Sequence, residues 1–296
     1  MIRVALVGQL GLTGQAADDH ALRAALEALG AHVALAAWDD PVVNWSAFDA
    51  ALLRATWNYA TQRDAFVEWA WSVGGQTRLF NRPRVVEWNS HKGYLIDLMR
   101  AGVPVVPTHW LDPGAAADVA ALMDVSGWAE AVLKPTISQS ARETLRFGAD
   151  AQGVAAAQDH VDRLLPLEGL MLQPYLSRVT ALGEVSVQFV DGAATHAVRK
   201  VPADGDYRVQ AEFGGRDSPF QAPGRLVELS RLAMAAAEVH LELEEPLLYA
   251  RVDWLQDFAG GWVLNELELI EPELFFRHAP HAAQSLAGAV VARLRA

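Results

Sequence analysis

The 296-residue chain contains no cysteine. Disulfides, thiolate catalysis and cysteine-ligated zinc are therefore excluded, and any metal must be held by oxygen or imidazole ligands. Lysine is scarce: Lys92, Lys134 and Lys200 are the only three among 24 basic residues, and the rest are arginine. No segment reaches the roughly 18 uncharged apolar residues of a membrane span. The apolar start at Met1 runs into a polar stretch over 13–20 rather than into a cleavage site. No basic run occurs, and a formal net charge of -12 opposes a polyanionic backbone, whose binding relies on clustered cations. These absences argue against nucleic-acid and membrane partners and leave the cytoplasm as the default location. What remains is carboxylate, amine, guanidinium and hydroxyl chemistry on a chain whose 52% apolar composition suits one large core or two to three small ones.

The lysine scarcity is informative because the two cations are not interchangeable. Arginine offers a rigid planar fork, whereas lysine is a compact ammonium on a flexible stem, suited to phosphate. A chain so biased toward arginine keeps lysine either by chance on its surface or where a phosphate requires it. The sequence around Lys92 and Lys134 favours the second reading, and that around Lys200 does so less strongly.

Residues 2–7 read as a buried strand, 18–29 as a helix ending at Gly30, 32–37 as a second strand and 49–53 as a third. Strand, helix and strand in that order imply a right-handed parallel crossover, so residues 1–90 form a small doubly wound α/β domain. Ligands of such sheets gather at the carboxyl ends of the strands. That rule points at 8–14, 38–40 and 54–59, the last containing Arg54, Trp57 and Tyr59. Turn-rich residues over 81–107 suggest a hinge. From 129 onward, short strands over 131–134, 143–147 and 170–173 surround a helix over 154–164, an α+β lobe spanning 91–175. In the remainder, 176–296, strands 184–190 and 195–200 joined at Asp191-Gly192 give a hairpin signal. A helix over 225–240 follows, then strands 247–255 and 262–270 that turn at Gly260-Gly261.

Strand side chains alternate between faces, so Arg251 and Asp253 share a face, as do Glu266 and Glu268 on the strand expected to pair with theirs. Like charges facing each other across a sheet are destabilising unless something positive lies between them. The acids either point into water or hold a hard, oxygen-loving cation, for which magnesium with nucleotide phosphates is the natural candidate. The apolar Trp254, Leu267 and Leu269 on the opposite face favour the second. Glu271 and Glu273, flanking Pro272, read as substrate contacts or plain surface.

Val132-Leu133-Lys134-Pro135 places a lysine at the end of an apolar strand, before a loop of small polar residues able to present N–H groups to phosphate. Gln173, Pro174 and Tyr175 end another strand, where linker backbone could meet an adenine edge; Pro174 has no N–H, so Tyr175 is the expected donor. Lys200 closes the hairpin, and Arg208 precedes Gly214-Gly215. Cations near an acidic cluster would clamp a transferring phosphoryl group.

Taken in order, these blocks resemble the ATP-grasp superfamily over nearly the whole chain, in particular its glutathione synthetase and ribosomal-protein glutamate ligase branch. The nearer resemblance is to the D-cycloserine synthetase-like branch, through Leu53-Arg54-Ala55-Thr56-Trp57-Asn58-Tyr59, Trp88-Asn89-Ser90-His91-Lys92-Gly93-Tyr94-Leu95, Ala250-Arg251-Val252-Asp253 and Glu266-Leu267-Glu268 before Glu271-Pro272. The resemblance implies a doubly wound domain followed by two α+β lobes that grip ATP, and a ligase that activates a small amino-acid-like carboxylate as an acyl phosphate for attack by an amine, or for ring closure within one molecule. It implies ATP contacts from Lys92, Lys134, Gln173, Pro174, Tyr175, Glu184 and Lys200. Two magnesium ions, with manganese as a substitute, would sit on Asp253, Glu266 and Glu268. Arg208, Lys200 and Arg251 would carry catalysis, and Arg54, Trp57, Tyr59, Gly214, Gly215 and Glu271 would face the substrate. The pattern allows a homodimer. Three departures stand out: glutamate where many members use asparagine as third metal ligand, proline where the linker often has glutamate, and no glycine after Lys134. Two rival readings are a nucleotide-binding sensor of the same fold without turnover, and a dinucleotide-dependent oxidoreductase. The latter is suggested by Gly8, Gly11 and Gly14 after the first strand with Asp39 and Asp40 after the second, although the spacing departs from the dinucleotide fingerprint.

Overall fold

The computed structural model describes residues 1–12 and 17–296. Gly14, the last glycine of the suggested fingerprint, lies outside them. The N-terminal part runs β1 (Arg3–Gly8), α1 (Ala17–Ala28), β2 (His32–Ala37), β3 (Ala50–Ala55), α2 (Arg63–Gly74), β4 (Arg78–Phe80) and α3 (Pro83–Asn89). Its four strands are parallel in the order β2-β1-β3-β4. Parallel strands need both faces covered, which is why β1 and β3 read as unbroken apolar runs. Leu22 and Leu26 of α1 cover one face together with the C-terminal helix. An aromatic cluster of Trp38, Trp45, Tyr59 and Phe66 covers the other. Each large apolar side chain so enclosed contributes about 1.5–3 kcal/mol.

The next part contains α4 (Tyr94–Arg100), β5 (His109–Leu111), α5 (Val119–Ser126), β6 (Glu130–Pro135), β7 (Leu145–Gly148), α6 (Ala151–Leu164) and β8 (Leu170–Pro174). Its sheet is antiparallel in the order β5-β8-β6-β7. Both long helices start on aspartate caps: Asp118 accepts from Ala121 N, and Asp150 from Gln152 N and Gly153 N, satisfying N–H groups that the first turn leaves unpaired. Met123, Val161 and Leu164 bury one face of this sheet, and the other faces the rest of the molecule.

The C-terminal part runs α7 (Val179–Leu182), β9 (Glu184–Val190), β10 (Ala193–Val201), β11 (Arg216–Pro219), α8 (Gly224–His240), β12 (Tyr249–Gln256), β13 (Trp262–Glu268) and α9 (Pro280–Arg295). The antiparallel order is β11-β10-β9-β12-β13. Val252, Trp254, Leu264 and Leu267 pack with α8 and with Leu95 and Leu98 of α4, and Trp254 donates to the buried Ser230 hydroxyl at 2.9 Å. The opposite face of β9, β12 and β13 carries the polar side chains. The C-terminal helix α9 returns to the N-terminal sheet, where Leu286 and Val290 join Val4 and Leu6. One buried hydroxyl ties the two ends together: Tyr249 Oη lies 2.9–3.1 Å from the carbonyls of Leu53, Phe80 and Ile270. Among the described residues, no helix is long and apolar enough to cross a membrane.

Candidate active site

A cleft of about 600 Å³ opens between the two antiparallel sheets and the carboxyl end of β3. All three lysines of the chain line it. Lys92 Nζ lies 2.9 Å from Glu266 Oε1, and Lys134 Nζ lies 3.7 Å from the same oxygen. Lys200 Nζ pairs with Glu184 and sits 3.4 Å from Asp253 Oδ2. Arg251 straddles Asp253, with Nε 3.0 Å from Oδ1 and Nη2 3.0 Å from Oδ2, and also pairs with Glu268. Ser186 donates to Asp253 Oδ1 at 2.6 Å, which leaves this carboxylate 2% exposed yet fully hydrogen-bonded.

Strand register explains the gathering. Arg251 opposes Glu268 and Asp253 opposes Glu266 across β12 and β13, as alternation requires. The register then slips, with Trp254 opposite Leu264, so Asn265 is an extra residue on β13. A bulge re-aims a side chain: Asn265 faces the cleft beside Glu266, donating to Glu184 at 2.7 Å and standing 3.5 Å from Lys134 Nζ. Sequence reasoning missed this residue, and the available signal was an amide interrupting an otherwise regular acid and leucine alternation.

Lys92 is delivered by a side-chain imitation of a strand. Asn89 donates to Leu267 O at 2.7 Å and accepts from Leu269 N at 2.8 Å, while Tyr94 Oη accepts from Leu267 N. These bonds satisfy the open edge of β13 and fasten the segment between α3 and α4 alongside Glu266. The Lys92 amide in turn donates to Thr136 O, joining this segment to the loop after Lys134.

The acids titrate in different directions. Enclosure alone would raise the Glu266 carboxyl, but Lys92 and Lys134 bring it down to about 2. Burial of Asp253 is likewise outweighed by Arg251 and Lys200, and its value is about 2. Enclosure raises the Glu268 carboxyl to about 7 despite Arg251, although its side chain stays 30% accessible from the cleft. Enclosure and then Glu268 push Glu271 up to about 8. Lys92 and Lys134 share Glu266 yet shift oppositely. Burial lowers Lys134, with Glu266 only partly offsetting it, whereas Lys92, closer to that acid, is raised. Two ammoniums from different segments thus share one carboxylate on the cleft floor.

The remaining expected residues fall in several places. Gln173, Pro174, Tyr175, Glu184 and Glu271 line the cleft, as do Trp57 and Tyr59. Trp57 is 42% exposed, whereas Tyr59 stacks on Phe66 at 4.8 Å. Arg54 reaches the cleft wall but is buried: its Nε lies 3.0 Å from Asp19 Oδ1 and its Nη2 3.9 Å from Asp18 Oδ2. A register slip between Val7 and Gly8 makes Arg54 the extra residue of β3. Arg208 lines the cleft, yet it is engaged by Asp206 at 2.7 Å and lies over the Phe213 ring at 3.7 Å. Gly214 and Gly215 are not among the cleft-lining residues. Gly214 holds a left-handed turn at φ 80°, and a side chain at Gly215 would collide with the Val209 carbonyl.

Two expectations require correction. The Tyr175 N–H donates to Glu130 O at 3.0 Å, because the antiparallel pairing of β6 and β8 extends past Pro174, so it is not a free donor for adenine here. Asp39, suggested as a ribose ligand, accepts instead from Leu10 N at 2.8 Å and Asn58 Nδ2 at 2.7 Å; it ties loops together at the strand ends. Among the described residues, no three carboxylate or imidazole side chains converge as a ready-made cage for an ion. Asp253, Glu266 and Glu268 line one cleft, but each turns to a cation, because a buried charge left unpaired costs several kcal/mol, of order 3–5.

Two antiparallel sheets facing each other across a lysine-lined, acid-floored cleft, next to a doubly wound domain, form the ATP-grasp fold, and the relatives that follow make the protein an ATP-dependent carbon–nitrogen ligase. Residues 4–81 match the family described as D-cycloserine synthetase DcsG, N-terminal domain, and cycloserine biosynthesis protein DcsG of Streptomyces lavendulae is 32% identical over 265 residues, 87% of each chain. The crystal structure of D-cycloserine synthetase DcsG superposes with a TM-score of 0.88 at 30% identity over 99% of each chain, and the chain belongs to the D-cycloserine synthetase family. The fold extends to ATP-grasp ligase PsnB, whose complex with a phosphomimetic variant of a minimal precursor, Mg and ADP gives a TM-score of 0.68 at 17% identity over 98% of each chain.

Proposed function

We propose that the chain activates a small amino-acid-like carboxylate as an acyl phosphate at the expense of ATP, and that an amine or related nitrogen then displaces the phosphate, within the same molecule where the substrate carries both groups. The observation that carries this reading is the meeting of the three lysines with Glu266, Glu184 and Asp253 in one cleft. Triphosphate with divalent cations brings negative charge for the lysines and positive charge for the acids. It can therefore exchange with these pairs without leaving either partner buried and unpaired.

The donor set suits magnesium: hard carboxylate oxygens on Asp253, Glu266 and Glu268, held on paired strands, with no soft ligand nearby. When bound there, magnesium would neutralise phosphate charge and polarise the transferred phosphoryl group. Lys92 and Lys134 hold the inner phosphates, and Lys200 meets the terminal one. The substrate carboxylate attacks in line, and ADP leaves. Arg251 and Arg208 stabilise charge on the acyl phosphate and on the tetrahedral intermediate, and positioning rather than a protein nucleophile supplies the acceleration. Arg208 must first leave Asp206. Residues 91–175 act as the lid lobe and 176–296 as the catalytic lobe. In residues 1–90, Trp57 and Tyr59 face the substrate, with Glu271 opposite.

ADP release measured across amino acids and their ureido and hydroxamate analogues tests the reading. Substrate-dependent ADP formation coupled to a new carbon–nitrogen bond is expected, and ATP binding without turnover on every compound would instead indicate a sensor.

A further inference from the structure

We propose that Glu271 is the specificity-determining residue that receives the α-ammonium of a free amino acid, so that the chain accepts amino acids with an unblocked nitrogen and rejects their α-hydroxy and N-acyl counterparts. This rests on the ligase reading above and names the substrate class of the same cleft.

One enclosed acid of the cleft lacks a counter-charge. Asp253 and Glu268 pair with Arg251, Glu266 with Lys92 and Lys134, Glu184 with Lys200, Asp18 with Arg54, and Asp217 and Glu273 with Arg277. Glu212 also lines the cleft without a basic partner, but it is exposed and water can serve it. Glu271 is largely enclosed, and among the described residues its side chain meets the Gln139 amide and pairs with no basic group. An enclosed carboxylate is costly until a proton or a cation reaches it. Enclosure and Glu268 raise this carboxyl, and Arg251 and Lys92 offset the rise only in part.

The mounting of Glu271 suits a zwitterion. It directly follows Ile270, whose carbonyl lies 2.9 Å from the Tyr249 hydroxyl that also meets Leu53 O and Phe80 O. The acid is thereby fixed where the end of β13 meets the carboxyl end of the parallel sheet. The cations that act on it, Arg251 and Lys92, line the same cleft and suit a carboxylate. In an α-amino acid the ammonium and the carboxylate hang on one carbon, so a site for one must adjoin a site for the other. An ammonium has three protons to donate, and Gln139 Oε1 is buried without a partner as a second acceptor. Trp57 and Tyr59 line the cleft as well, and aromatic rings favour an organic cation over a hydrated metal ion. A hydroxyl or an acylated nitrogen brings Glu271 no charge.

The test compares wild type with Glu271→Gln, which keeps the shape and removes the charge, and Glu271→Asp, which keeps the charge and retracts it. The first readout is calorimetric titration, with a non-hydrolysable ATP analogue and magnesium, of alanine against lactate and serine against glycerate, each as both enantiomers. In at least one pair wild type should prefer the ammonium by about 30-fold or more, the scale of one enclosed charge pair. Glu271→Gln should bind the two members of that pair alike, and Glu271→Asp should keep part of the preference. The second readout is ADP release with amino acids and their N-acetyl forms, where the loss in Glu271→Gln should fall on substrate KM rather than on kcat. A wild type without preference for the ammonium in any pair, or a Glu271→Gln variant that retains the preference, would overturn the proposal. So would loss of magnesium-dependent ATP binding in Glu271→Gln, which would make this acid a metal ligand. If no compound elicits ADP from wild type, the ligase reading fails, and the titrations alone decide for or against the ammonium site.

Discussion

The Lys92 ammonium and the Glu266 carboxylate stand 2.9 Å apart across 174 residues of sequence. Lys134 approaches the same carboxylate from the lid lobe, so one acid on β13 collects two of the three lysines from two different elements. Such a pair is costly to break by halves and easy to exchange for a ligand that supplies both charges.

Lys134→Ala removes the second ammonium on Glu266 and should lower kcat/KM for ATP-dependent turnover by about 10²-fold, the usual effect of deleting one preorganised charge contact. Lys134→Arg should restore little, since a planar fork does not reproduce a compact ammonium. Steady-state ADP release checks both variants; wild-type turnover in Lys134→Ala would remove this residue from the nucleotide site.

Glu268 and Glu271, at about 7 and about 8, both lie above the ordinary carboxylate range. The folded chain therefore binds more protons than the unfolded chain between the ordinary carboxylate range and those values. Their stabilising contribution is fully present in acid and is lost as pH rises through 7 to 8. Without nucleotide, Tm should fall over that window, and Glu271→Gln should flatten the fall. Thermal melts in a pH series check this, and a Tm rising over the same window would contradict it.

Tyr249→Phe deletes the hydroxyl shared among Leu53, Phe80 and Ile270 carbonyls. The loss should be about 1–3 kcal/mol, the cost of leaving buried acceptors unmet. Denaturant unfolding should show a lowered midpoint.

Arg54→Met separates two roles for a residue that both lines the cleft and pairs with Asp19. Buried acids left uncompensated should cost about 3–5 kcal/mol, so the variant should be destabilised whether or not substrate is present. A change confined to substrate KM, with an unaltered melt, would show that Arg54 serves substrate alone.

Much of the cleft floor was legible because alternation is a strict rule: Arg251 with Asp253, and Glu266 with Glu268, had to share faces once their strands paired. Lysine scarcity made Lys92, Lys134 and Lys200 conspicuous before any geometry was known. Asn265 was missed because it sits where a register slip adds a residue, and a period of two cannot anticipate a bulge. Asn89 was quoted within a motif, but its imitation of a strand edge depends on β13 lying beside it. Tyr175 was assigned a free N–H because the extent of pairing between β6 and β8 is not written in either strand. The return of α9 to the N-terminal sheet is equally invisible locally, since an apolar helix face does not name the sheet it will cover.

The most direct test is calorimetric titration of ATP into wild type and Glu266→Gln, each with magnesium and with a chelator. Wild type should bind ATP at least tenfold more tightly with magnesium, and Glu266→Gln should lose most of that difference. Equal affinity with and without magnesium, or a variant indistinguishable from wild type, would contradict a cleft in which lysines grip phosphates while the acids of β12 and β13 hold the metal.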